Sequence, residues 1–441
     1  MAYRIVVTDV GERSGLAAVR CLARAGYEVT ALASSRLAPG LWSGLARSRH
    51  ITIDGGENVG GYIDAIERIV TRQPHDLLLA STDISLWAVS EHRDRLEPHV
   101  RLGIPSHELV VDALDREQLA IAADAVGLGN PDTYVCDTAA DAVAAAAEYG
   151  YPVLVKPVST VVQRGESLVR RGSELAVDAD AVREAVARFG RVIVQRRIDG
   201  DVVSVAGVAT SDGVIGFVAC RYLRTWPPKA GSAAFSVTIE LEPELIEQIS
   251  ALLARMGWTG LFEVELIVSA DGAYTAIDLN PRIHGWMSLA VAAGVPLPAL
   301  WCGWRLGTPP DDVPVARAGV HYRWEEGDLR NLISRWRGGS GDRSFAGFLP
   351  RCRAAHPLFE VNDPAPLLAR LLQVGGLASD RAVARIGGRL NGRARPVESR
   401  PETVLSPLGA AGRRGGGAVV GSDDESHHWP EAERRRRSDE M

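Results

Sequence analysis

The chain of 441 residues is 46% hydrophobic and 24% charged, ordinary proportions for folded globular proteins, which excludes wholesale disorder. Its 49 Lys and Arg against 55 Asp and Glu leave a net charge of −6, so it lacks the basic surface that non-specific nucleic-acid binding requires. Five scattered cysteines, Cys21, Cys136, Cys220, Cys302 and Cys352, share no metal-ligand spacing, which argues against a zinc site or disulfide framework and points to a reducing compartment.

The N-terminus runs straight into a strand-like pattern, without the basic and apolar regions of a secretory leader. The longest apolar stretch, Ser288 to Trp304, is broken by Pro296 and Pro298 and is shorter than the roughly 20 residues a bilayer requires. A cytoplasmic protein of about three structural units is expected.

In chain order, Arg4–Thr8 reads as a strand, Leu16–Ala25 as an amphipathic helix, and Tyr27–Ala33 and Asp76–Ala80 as further strands. Strands alternating with helices predict a parallel, doubly wound sheet over about residues 1–110. Its first turn, Asp9 to Gly15, lacks the G-x-G-x-x-G spacing, so a structural lobe is expected there rather than a dinucleotide site. Between about 111 and 305, helices Asp115–Val126, Ala139–Tyr149 and Glu244–Met256 alternate with strands Pro152–Lys156, Val192–Gln195, Val202–Thr210 and Val214–Cys220. Residues 306–395 contain a helix near Pro364–Val374. Beyond Pro396, Gly, Pro, Ser, Arg and acidic residues predict a disordered tail (396–441) whose Arg434–Arg437 run is a solvated charge cluster.

The most informative stretch is Phe262–Gly285. Strands Phe262–Val268 and Ala273–Leu279 flank Asp271-Gly272, a two-residue turn signal. With those two residues at the turn centre, Ala270 faces Ala273, Glu265 faces Asp278, and Glu263 faces Asn280. Val264, Leu266, Ile277 and Leu279 then point to a core. Opposed carboxylates repel, so this face is either exposed to water or shared around a cation. An all-oxygen donor set would favour Mg²⁺ or Mn²⁺ over zinc. Asn280-Pro281-Arg282 follows directly and brings an arginine beside the acids.

This hairpin, with its V-E-L strand, D-G turn and Ile277-Asp278-Leu279-Asn280-Pro281-Arg282, resembles the metal-binding end of the ATP-grasp superfamily. The resemblance implies an α/β and α+β architecture, with a Rossmann-like pre-ATP-grasp domain (1–110), a two-subdomain ATP-grasp domain (111–305) and a C-terminal extension (306–395). It implies Glu265, Asp278 and Asn280 as Mg²⁺–ATP ligands and Arg282 as a catalytic contact to the phosphates or transferred group. Lys156, ending Tyr151–Pro157, resembles the phosphate-reaching lysine; Arg116 resembles the second basic residue. Gln195, Arg196 and Ile198 resemble the adenine-binding hinge. The usual ribose-binding Glu position holds Val202, which leaves Asp201 as the candidate. The loop Val158–Ser167 departs from the family in carrying only Gly165, and no G-x-x-x-x-G-K-[ST] phosphate loop exists anywhere.

The activity implied is an ATP- and Mg²⁺-dependent ligase that activates a carboxylate as an acyl phosphate for attack by an amine, of the amino-acid or peptide ligase type. Its partners would be small-molecule carboxylate and amine substrates, with a homodimer as the candidate assembly and neither nucleic acid nor membrane. The rival readings are a non-catalytic ATP-binding regulatory protein of the same fold and an NAD-dependent oxidoreductase, which the missing glycine fingerprint disfavours. Arg221–Ser236, with Arg221, Arg224 and Lys229, reads as a basic loop that either lines the substrate pocket or is simply flexible. His284 is either a substrate contact or a satisfied structural residue.

Overall fold

Short apolar runs separated by amphipathic helices build the first sheet, as their alternation predicts. Strands β1 (Arg4–Val7), β2 (Glu28–Ala33), β3 (Ser48–Ile51), β4 (Leu77–Leu79) and β5 (Arg101–Leu102) are parallel, in the order β3-β2-β1-β4-β5. The winding reverses between β1 and β4, which makes their carboxyl ends the topological switch point of the sheet. A computed structural model provides this architecture and describes residues 2–228, 231–338 and 354–376.

Helices α1 (Arg13–Arg24), α2 (Pro39–Trp42), α3 (Val59–Arg72) and α4 (Asp83–Glu91) cover the sheet. The sequence reading found α1 and missed α3 and α4. Asn58 caps α3 by accepting from the Gly61 amide, and Thr82 and Ser85 form a reciprocal capping box at the start of α4. Gly15 is required where α1 crosses the β1 turn, because a Cβ there would lie 2.8 Å from the Asp9 carbonyl oxygen.

The second sheet is antiparallel, ordered β10-β7-β11-β6, from β6 (Thr133–Cys136), β7 (Val153–Pro157), β10 (Glu174–Ala176) and β11 (Val192–Arg196). Helices Ala139–Tyr149 and Ala179–Phe189 seal one face with an alanine- and valine-rich core. Between β7 and β10 a two-stranded hairpin, β8 (Val161–Arg164) and β9 (Ser167–Arg170), turns at Gly165, whose φ is +60°.

The third sheet is the largest: β16-β15-β12-β13-β14-β17-β18. It comprises β12 (Asp201–Thr210), β13 (Gly213–Trp226), β14 (Ser232–Ile239), β15 (Gly260–Val268), β16 (Tyr274–Asn280), β17 (His321–Arg323) and β18 (Ala354–Ala355). The Arg221–Ser236 segment is therefore not a loop. Its described residues lie largely in β13 and β14, where Arg224 forms a two-pronged pair with buried Asp328 and Arg221 lies 3.8 Å from Asp201. Lys229 lies outside the described residues, as does the tail expected after Pro396.

One apolar cluster runs from β1 and β2 through α1 to β12, β13 and the helices Met287–Ala292 and Leu297–Leu306, so the parallel sheet and the largest sheet share a core. Among the described residues no helix is long and apolar enough to cross a membrane.

Candidate active site

Strand β15 alternates Phe262, Val264 and Leu266 into the core with Glu263 and Glu265 on the opposite face. The pairings Glu263–Asn280 and Glu265–Asp278 occur as expected. The route to them differs. The turn centres on Ala270-Asp271, with the Gly272 amide donating to the Ser269 carbonyl and the Ser269 amide to the Ala273 carbonyl; Gly272 adopts φ +87°. That places the turn one residue early. A β-bulge at Ile277 then restores the register, since Glu265 faces Asp278 while Leu266 faces Ala276. Ile277 is thus not a core-facing residue in alternation with Leu279. It is the extra residue, and its carbonyl accepts from Lys156 Nζ at 3.0 Å.

Lys156 stands on β7 of the neighbouring sheet and is buried, so burial pulls its pKa down to about 8 against the attraction of Asp278. Arg116, at the first turn of the helix Arg116–Ala125, is also buried. Its Nε lies 3.4 Å from Asp278 Oδ1, and Nη1 donates to the Pro157 carbonyl. Two cations from separate segments therefore converge on the end of the acidic hairpin.

Beneath them the carboxylates are crowded. Glu263 Oε1 accepts from Ser204 Oγ at 2.7 Å, from Trp286 Nε1 and from the Tyr222 hydroxyl at 3.1 Å. The same hydroxyl lies 3.1 Å from Glu265 Oε1, yet a tyrosine has one proton to donate. Burial, with repulsion from Glu263 and Asp278, lifts the Glu265 carboxyl to about 8. Among the described residues no group of three or more His, Cys, Asp or Glu is disposed to hold a metal ion. The smaller set of two carboxylates and the Asn280 amide still fits a hard divalent cation, because added positive charge relieves the repulsion that raises Glu265.

Arg282 is placed by a residue the sequence reading missed. Asp83, the first residue of α4 and only 1% exposed, accepts from Arg282 Nε at 2.5 Å and Nη2 at 3.1 Å. Arg282 Nη2 also donates to Asn280 Oδ1 at 2.9 Å. From the other side Arg170, ending β9, donates to Asp83 Oδ2 at 2.5 Å. Burial would raise the Asp83 carboxyl, but the two guanidinium groups outweigh it and hold it at about 2. The hairpin that carries Arg170 is docked on the same lobe: Val59 and Leu168 exchange backbone bonds with Glu166 and Gly56. The signal for Asp83 was present in the sequence, since Ser81-Thr82-Asp83 directly follows the apolar run of β4 with helix-start chemistry.

His284 is not a satisfied structural histidine. Its ring is fully buried against Trp286, centroids 4.0 Å apart, and neither nitrogen has a hydrogen-bond partner among the described residues. Burial, reinforced by Arg282, holds it well below the usual histidine range.

The expected adenine hinge is mixed. Gln195 is buried, donates to Thr133 Oγ1 at 3.1 Å and leaves its side-chain oxygen without a partner among the described residues. Arg196 turns outward to Asp132 and lies over Tyr149. Ile198 is half-buried, and Asp201 is exposed beside Arg221.

The described residues thus combine a parallel sheet, an antiparallel sheet with a hairpin, and a large sheet bearing an acidic hairpin beside a buried lysine. Two stretches of the chain match family models, one of them an ATP-grasp family. Residues 188–328 match the family described as ATP-grasp in the biosynthetic pathway with Ter operon, and residues 115–201 match the carbamoyl-phosphate synthase L chain, ATP binding domain. The chain is 28% identical over 301 residues to a formate-dependent phosphoribosylglycinamide formyltransferase from Rhodococcus jostii (strain RHA1), covering 64% of this chain and 70% of that protein.

Solved structures that share the fold include the following two. An L-amino acid ligase from Bacillus licheniformis superposes with a TM-score of 0.55 at 16% identity, covering 69% of this chain and 74% of that one. The biotin carboxylase domain of Hydrogenobacter thermophilus 2-oxoglutarate carboxylase, in complex with MgADP, ADP and bicarbonate, gives 0.57 at 15% identity, covering 73% of each chain.

Proposed function

We propose that the protein is an ATP- and Mg²⁺-dependent carboxylate–amine ligase, forming ADP and phosphate. The observation that carries this reading is the Glu265–Asp278 pair, held in register by a bulge whose carbonyl anchors Lys156. The likeness to an L-amino acid ligase supports the amino-acid or peptide type. In this reading residues 1–110 form the pre-ATP-grasp lobe, 111–305 the ATP-grasp domain and 306–395 its extension. The protein works in the cytoplasm on small-molecule substrates, as a homodimer.

Glu265, Asp278 and Asn280 would hold Mg²⁺, or Mn²⁺ in its place, which when bound offsets negative charge on the phosphate oxygens. Lys156 and Arg116 supply fixed positive charge where phosphate charge develops. The unpartnered oxygen of Gln195 accepts from the adenine amino group, the backbone of Arg196 borders the base edge, Ile198 packs on the ring, and Asp201 reaches the ribose. A substrate carboxylate oxygen attacks the γ-phosphorus, ADP leaves, and Arg282 faces the acyl phosphate. The amine nitrogen then attacks the acyl carbon and phosphate departs.

The test is release of ADP and phosphate from MgATP across pools of carboxylates and amines, for wild type and Asp278→Ala. Substrate-dependent release that the variant loses is the expected result. Failure of the wild type to bind MgATP would refute the reading.

A further inference from the structure

Arg13 opens α1 at the carboxyl end of β1, beside the β1–β4 switch point, the place where doubly wound sheets generally receive ligands. Its guanidinium carbon lies over the Trp324 indole, 3.7 Å from the ring centroid. Nη1 donates to the Tyr322 hydroxyl at 2.9 Å, and that hydroxyl donates its own proton to the Gly285 carbonyl at 3.2 Å. Tyr322 is fully buried, so its lone pair is fixed toward Arg13. The guanidinium is thus oriented from two sides by uncharged groups.

Other oriented arginines of this chain meet carboxylates: Arg20 meets Asp363, Arg224 meets Asp328, and Arg282 meets Asp83. Arg13 makes no ion pair among the described residues; its partners are a phenol and an indole. A guanidinium offers five N–H donors, and the Tyr322 contact uses one. An immobilised planar fork without a counter-ion suits two-pronged binding of a carboxylate or phosphate. The segment that supports it also leads to the chemistry. Gly285 is three residues from Arg282, a span of at most about 10 Å. Between them His284 is fully buried with both ring nitrogens unpartnered among the described residues, a second polar group on this segment left unsatisfied there.

We propose that Arg13 binds the anionic end of the amine-bearing substrate, so that the acceptor is an amino acid or an amine carrying a phosphate monoester rather than a neutral amine. Trp324 and Tyr322 are positioning residues that hold the fork. This inference rests on the ligase reading for the role of its ligand, but its test does not require turnover.

The experiment measures thermal shifts in the presence of MgADP for wild type, Arg13→Gln and Arg13→Lys. The probes are free α-amino acids against their α-amides, and O-phosphoethanolamine and O-phosphoserine against ethanolamine and serine. At least one anionic probe stabilises the wild type while its neutral counterpart does not. Affinity for that probe falls at least about tenfold in Arg13→Gln and less in Arg13→Lys, which keeps the charge but loses the fork. Stabilisation by the amino acids identifies a carboxylate, and stabilisation by the phosphorylated pair identifies a phosphate. Equal shifts for wild type and Arg13→Gln, or no preference for any anion over its neutral counterpart, overturn the proposal. Arg13→Lys keeps the comparison informative if Arg13→Gln folds poorly. Acceptor-stimulated ADP formation, followed in parallel, reports separately on the ligase reading.

Discussion

Replacing Asp83 with Asn removes one negative charge from between two arginines while keeping the side chain's shape. Asp83 and Arg282 are 1% and 12% exposed, whereas Arg170 is 47% exposed, so most of the electrostatic loss falls on the Arg282 pair. The fall in the Asp83 pKa from 3.8 to about 2 corresponds to about 2–3 kcal/mol, at about 1.4 kcal/mol per pKa unit. Because the folded pKa is depressed, this stabilisation is present above about pH 4 and disappears as pH falls toward 2.

Urea unfolding at pH 7 should therefore show Asp83→Asn to be less stable by about 2–3 kcal/mol, with the gap closing below pH 4. A double-mutant cycle with Arg282→Gln should give a coupling energy above about 1 kcal/mol. Limited trypsin digestion should cut faster at Arg164 and Arg170, since the hairpin loses an anchor. Additive single effects together with an unchanged cleavage pattern would refute the idea that Asp83 joins the β8–β9 hairpin to the segment that follows β16.

Lys156→Met should cost catalysis and not stability. Burial already disfavours the lysine charge, so the melting temperature should stay level or rise while ADP formation falls at least about a hundredfold. Glu265→Gln should change the pH profile of metal-free stability: the raised carboxyl makes the wild type lose stability as pH rises from 4.5 to about 8, and the amide should abolish that loss. Asp363→Ala should destabilise by about 3 kcal/mol in urea unfolding, because it removes the close partner of Arg20, a 2%-exposed guanidinium whose carboxylate partners among the described residues are then reduced to Glu360 at 3.6 Å.

How far the sequence could be read is clearest in the acidic hairpin. Alternation along β15 and β16 gave the correct opposition of Glu265 and Asp278 through two compensating departures, a turn one residue early and a bulge at Ile277. Local alternation reports faces well, but a bulge leaves no composition signal of its own. Lys156 was legible as a strand-end lysine; its anchoring by the Ile277 carbonyl was not, because the partner is 121 residues away. Asp83 and Arg282 are 199 residues apart and meet only through packing of the parallel lobe on the largest sheet. Arg221–Ser236 misled because its arginines and small residues suggest a loop, whereas β13 runs through it with register shifts and Asp328 neutralises Arg224. Helix α3 was hidden by Gly60 and Gly61 in its first turn, with the Asn58 cap as the cue that could have revealed it.

The central claim is that this acidic hairpin serves acyl-phosphate chemistry, and hydroxylamine trapping addresses it most directly. Incubation of wild type with MgATP, a carboxylate pool and hydroxylamine should yield hydroxamate and ADP together, both dependent on the carboxylate and both lost in Asp278→Ala. Formation of AMP and pyrophosphate, or carboxylate-dependent ADP release without hydroxamate, would contradict it.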